Sequence, residues 1–158
     1  MRLRNFALIY GVVNALLGLM GMVPGITTSP PAGAPPMMDS THGYMMGIFP
    51  TNMAHNIEHL VVGLAGIAVF RSFGASRIYA WIATVLFGLK AVMGLIPGAN
   101  SMFGMMPMWG ADVPLHLVLA LAAGYFAIVV AARERHEASS PTYAAAKPNR
   151  MNRMGRAA

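Results

Sequence analysis

The stretch VPLHLVLALAAGYFAIVVAA, Val113 to Ala132, runs for twenty residues with no Asp, Glu, Lys or Arg and with His116 as its one histidine. A helix rises about 1.5 Å per residue and the hydrocarbon core of a bilayer is about 30 Å thick, so this run predicts a membrane-spanning helix. Three more runs have the same character: Asn5 to Val23, Met53 to Phe70 and Ile78 to Ile96. The fold class predicted is all-α integral membrane, a four-transmembrane-helix bundle with helices at 5–23, 53–70, 78–96 and 113–132. Segments 24–52 and 97–112 connect them on one side. Residues 1–132 make up this domain, and 133–158 form a basic tail expected to be disordered in the cytoplasm, because from Glu137 onward it lacks apolar periodicity.

Composition agrees with a lipid environment. Hydrophobic residues make up 56% of the chain and charged residues 10%, against about 25% charged in an ordinary soluble domain. The net charge of +6 lies mainly in connecting and terminal segments rather than on one face of a folded module, so nucleic acid is not an expected partner. There is no cysteine, which excludes disulfides, thiolate metal ligands and cysteine nucleophiles. No triad pattern or phosphate-binding loop stands in the sequence, and this weighs against an enzyme.

Basic residues set the predicted orientation, since they accumulate in cytoplasmic loops. Arg2 and Arg4 precede the first run, Arg71 and Arg77 flank the turn between the second and third, and Arg133 and Arg135 follow the fourth. Segments 24–52 and 97–112 contain neither Lys nor Arg. Both are therefore placed outside a cell (inner) membrane, with both termini cytoplasmic. The lipid bilayer is the first expected partner, with other membrane proteins or a second copy of the chain behind it. Arg2 and Arg4 ahead of an apolar run also fit a signal peptide, with Ala32-Gly33-Ala34 as its processing site. The length of the run favours a retained helix, in which Asn14 is the polar residue. Ser29 to Pro36, dense in Pro and Gly, is expected to be extended rather than helix or sheet.

The chain repeats itself. Gly47-Ile48-Phe49-Pro50 lies over Gly104-Met105-Met106-Pro107, and the same offset puts His55 over Asp112, His59 over His116 and Gly63 over Ala120. Gly21-Met22-Val23-Pro24-Gly25 lies likewise over Gly94-Leu95-Ile96-Pro97-Gly98. Two helical hairpins of the same orientation are implied, as in membrane proteins with parallel repeats. Phe49-Pro50-Thr51-Asn52 followed by His55-Asn56 and His59-Leu60, the Ile96-Pro97-Gly98 helix end, and Gly110-Ala111-Asp112 followed by Leu115-His116-Leu117 together carry a resemblance. On them the chain resembles the bacterial membrane proteins grouped as domain of unknown function 4383, over roughly Asn5 to Ala132. The resemblance implies four membrane helices and no particular activity. The long first connecting segment and the basic tail depart from it.

His55 and His59 stand four apart on one helix and Asp112 and His116 four apart on another, so each pair shares a helix face. Ionisable groups inside a membrane are candidates for function, and imidazole is the commonest metal ligand. The metal or haem candidates are thus His55, His59, Asp112 and His116, with haem b or a divalent metal as the cofactor. If the two helices are diagonal in the bundle, their axes lie about 11 to 14 Å apart, a span that suits haem between His59 and His116 better than one small ion. A proton or small-solute path would use the same residues. Against these stands a structural or partner-binding protein of unknown activity, in which His59 and His116 hydrogen-bond across a small-residue contact near Gly63 and Ala120, and Asp112 and Asn52 cap helices. That structural role is the leading expectation.

Two further features complete the inventory. Glu58 and Lys90 lie at similar depth on neighbouring helices and are expected to form an intramembrane ion pair. Met37, Met38, Met45, Met46, Met105 and Met106 are soft-metal candidates near His42 and His55, with apolar gap-filling as their commoner role.

Overall fold

In the computed structural model, residues 2–38 and 40–140 are described. The chain is mostly helical: α1 Leu3–Met22, α2 Met53–Val69, α3 Phe73–Gly94 and α4 Asp112–Ser139. Between α1 and α2 lie three short strands, β1 Thr27–Thr28, β2 Gly43–Met45 and β3 Phe49–Thr51, in an antiparallel sheet ordered β1-β2-β3. The sheet sits where α1 ends and α2 begins and lines a cavity with Asp112 and Leu115 at the start of α4, so it makes a cap over one end of the helices. Asn52 Nδ2 donates to the Met105 carbonyl at 2.7 Å and Met38 N to the Gly104 carbonyl at 3.0 Å, tying the two long connecting segments together.

Helix packing follows from where the small residues fall. On the α1–α2 seam, a Cβ at Gly11 would sit 2.7 Å from the Gly63 carbonyl oxygen, and one at Gly18 would sit 2.5 Å from that of Asn56. Only glycine allows backbones this close, the usual way helices associate in lipid. On the α3–α4 seam alanines do the same work: Ala80 and Ala83 share the buried core with Ala120, Ala123 and Ala127. Gly63 thus faces Ala15 of α1, and Ala120 faces Gly88 of α3. Neither lies at an α2–α4 contact, where the repeat had placed them. Away from the cap the core is aromatic, with Phe6 stacked on Phe126 at 4.2 Å between ring centroids and Tyr10 edge-on to Tyr79 and Phe87.

Polarity is inverted relative to a protein folded in water. Ile9 and Leu16 of α1, Val61 and Leu64 of α2, Ile82 and Val85 of α3, and Val118 and Leu121 of α4 are all exposed, while Asn14, His55, Asn56, His59, Lys90, Asp112 and His116 are buried. Apolar surface on every helix exceeds what a soluble monomer shows, and lipid is the medium that suits it. Leu3–Met22, Phe73–Gly94 and Asp112–Ser139 are long and apolar enough to cross a membrane, whereas α2, at 17 residues, is shorter.

The elements differ from the hydropathy in several places, α3 beginning at Phe73 rather than Ile78 and ending at Gly94 rather than Ile96. The fourth helix continues past Ala132 to Ser139, so Arg133 to Ser139 are helical rather than tail; residues 141–158 lie outside those described. Ala131 to Arg135 are good helix formers. Glu134 Oε1 also accepts the free Leu3 amide at the start of α1, at 2.7 Å. Within α4, Phe126–Val130 forms a π-helical turn, and Arg77 Nε donates to the Ala127 carbonyl there at 3.4 Å. The first connecting segment, though irregular through its prolines, contains the sheet on either side of them.

Candidate metal centre

All four helices send polar side chains into one layer just beneath the cap. Asn52 starts α2 by accepting the His55 amide on its side chain at 3.0 Å, which fixes His55 in the first turn and His59 one turn deeper on the same face. Asp112 opens α4. Its side chain does not cap the helix, a role expected of it, because the residue before the helix is Ala111 and the carboxylate turns inward toward His55. His116 follows one turn on, fully buried.

The three histidines converge through the same ring atom. His55 Nε2 lies 3.3 Å from His116 Nε2 and 3.2 Å from His59 Nε2, and one ring nitrogen of each falls within 4.8 Å of the others. Ligand nitrogens 2.0–2.1 Å from a tetrahedral zinc stand about 3.3 Å apart, so two edges of the triangle already have that length. The outer nitrogens face other groups. His59 Nδ1 is 3.0 Å from Asn14 Oδ1, and Asn14 Nδ2 in turn donates to the Tyr10 carbonyl at 2.9 Å. His55 Nδ1 stands 3.6 Å from Asp112 Oδ2, too long for a hydrogen bond. His116 Nδ1 has no partner.

Electron pairs can be counted around this triangle. Asn14 presents its oxygen to His59, so the His59 proton sits on Nδ1 and its Nε2 lone pair points into the cluster. With Asp112 as a carboxylate and His55 neutral, two positions remain for the His55 proton. On Nδ1 it faces the carboxylate, and the lone pairs of His55 and His59 Nε2 then oppose each other at 3.2 Å. On Nε2 it bridges to His59, and the His55 Nδ1 lone pair then faces the Asp112 oxygen. One repulsive contact survives either way. A cation bound by the three Nε2 atoms removes it, leaving Asn14 and Asp112 as the groups that orient the imidazoles, an arrangement usual around ligating histidine.

The short distances exclude one expected cofactor. The His59 and His116 rings stack with centroids 5.8 Å apart and His55 is wedged against both, while the adjoining cavity measures about 20 Å³. A porphyrin has no room between them. The imidazoles themselves bridge α2 and α4, His55 Nε2 reaching His116 Nε2 at 3.3 Å. Asn14 was not foreseen as a member of the layer, although a lone amide in an apolar helix was the signal for it.

Lys90 of α3 closes the layer at the side, its Nζ donating to Glu58 Oε1 at 3.0 Å. The methionines do not join it as a group: Met38 and Met46 are exposed, and of the six soft-metal candidates Met45 is the one lining the histidine cavity.

Fold and site together define a helical protein with membrane-type apolar helices and a buried three-histidine layer. The chain belongs to the family described as domain of unknown function (DUF4383), whose model matches residues 4–129. No curated protein and no solved structure matches it.

Proposed function

We propose that this chain is a four-span membrane protein, with both termini cytoplasmic, that holds a divalent transition-metal ion on His55, His59 and His116 near the outer face. Four spans are supported by α2 packing along α1 and returning into α3 through residues 70–72: if α1 and α3 cross the bilayer, α2, about 25 Å long, crosses with them. The two hairpins then form the parallel repeat read from the sequence. Orientation rests on the basic residues clustered at the end remote from the cap.

The convergence of three Nε2 atoms at 3.2 and 3.3 Å carries the metal assignment. Imidazole donors suit zinc, copper, iron and nickel. Elemental analysis of the full chain purified in detergent tests it: about one such ion per chain is expected, falling to background in His59→Ala. Metal-free protein that takes up none on titration would contradict it.

A metal-free alternative has the three histidines as hydrogen-bonding glue between α1, α2 and α4, consistent with a structural or partner-binding role. It is favoured by the small size of the cavity, and it requires the His55–Asp112 pair to hold one further proton.

A further inference from the structure

A buried acceptor beside the histidines is left without a hydrogen-bond donor, the nearest candidate being His55 Nδ1 at 3.6 Å. Asp112 is 1% exposed, and its Oδ2 makes no hydrogen bond. Such an atom inside an apolar bundle is costly, the more so when charged, unless something donates to it. The cavity lined by Asp112, His55, His59, Met45, Thr51 and Asn56 measures about 20 Å³. One water needs about 10 to 15 Å³ by the same kind of measure, together with polar neighbours.

We propose that the metal site is open: a water molecule in this cavity completes its coordination and donates a hydrogen bond to Asp112 Oδ2. The proposal rests on the metal assignment above and adds the identity of the fourth ligand. Three protein nitrogens and a water are the ligand set of an exchangeable zinc site, whereas a structural site is closed by four protein side chains. Among the described residues no fourth His, Asp or Glu joins the three histidines as a metal-binding group. Met45 and Thr51, which share the cavity, offer at most a thioether and a hydroxyl. The water gives the carboxylate its missing donor and occupies a position from which a small monodentate anion can displace it.

The test uses the full chain in detergent, stripped with a chelator and loaded with Co(II), whose visible and electron paramagnetic resonance spectra report its ligands. In water enriched in the magnetic oxygen isotope, the resonance of the loaded protein should broaden through the bound water. Azide should shift the visible spectrum saturably. Asp112→Asn removes a negative charge from beside the exchangeable position, so azide should bind that variant about tenfold more tightly. Co(II) bound with no isotope broadening and no azide shift would overturn the open site while leaving the three-histidine site standing. Failure to bind Co(II) at all would overturn both. The isotope measurement needs only the unmodified chain and decides the matter even if Asp112→Asn does not fold.

Discussion

His55 Nε2 and His116 Nε2 lie 3.3 Å apart, joining α2 to α4 through ring nitrogens sixty-one residues apart in the chain. Both are buried; His116 Nδ1 makes no hydrogen bond, and the His55 ring has the Pro50 carbonyl and the Asp112 carboxylate, 3.6 Å from Nδ1, on its outer side. The contact is therefore a poor hydrogen bond for a purely structural role and a good edge for a coordination polyhedron.

Mutation separates these two roles. In a bundle held only by hydrogen bonds, His116→Gln should cost about 1 kcal/mol or less, the scale of such bonds in membranes. As a ligand replacement it should instead abolish stoichiometric metal binding. Unfolding in detergent and metal content, measured on the same preparation, give the two answers; a variant that keeps its metal would remove His116 from the site.

Asn14 should matter beyond its own helix. It fixes the His59 proton on Nδ1, so Asn14→Leu should weaken metal binding about 10- to 100-fold, as losing an orienting partner does elsewhere. Competition with a chelator of known affinity measures this. An unchanged affinity would mean that His59 does not need Asn14 to present its lone pair.

The chain's spacing made part of this site legible. His55 with His59, and Asp112 with His116, reveal themselves because four residues is one helical turn, and Asn14 was visible as a lone amide. The distance between the two pairs was not legible. It depends on how closely Gly11, Gly18, Gly63 and Gly66 seat α1 on α2, and on how the alanines seat α3 on α4, which no single helix encodes. The cap sheet escaped notice for a simpler reason: strands of two or three residues are too short to show an alternating pattern. The extension of α4 escaped because hydropathy stops at Ala132, whereas the helix is held further on by Glu134 at the start of α1.

Glu58 and Lys90 give a stability prediction that is read on metal-free protein. The Lys90 side chain is 5% exposed and that of Glu58 21%, so Glu58→Gln leaves an ammonium buried without its counter-charge. Loss of about 3 kcal/mol or more is expected. The double variant Glu58→Gln, Lys90→Met should recover most of it. Denaturant unfolding in micelles checks both, and a double variant no better than the single one would show that the pair is not what compensates Lys90.

Topology is open to labelling because the chain contains no cysteine of its own. A cysteine in place of Ser40, exposed in the cap, should react in intact cells with a membrane-impermeant thiol reagent. One in place of Ser139, at the end of α4, should react only after the cells are opened. The reverse pattern would invert the orientation.

X-ray absorption at the edge of the bound metal tests whether one ion sits among His55, His59 and His116. Three imidazole nitrogens at about 2.0 to 2.1 Å are expected around it, with the more distant scattering of three histidine rings. In His116→Gln loaded at high metal concentration two rings are expected, in a more disordered environment. A wild-type spectrum with only light-atom scatterers and no imidazole rings would place the metal elsewhere and rule out the three-histidine site.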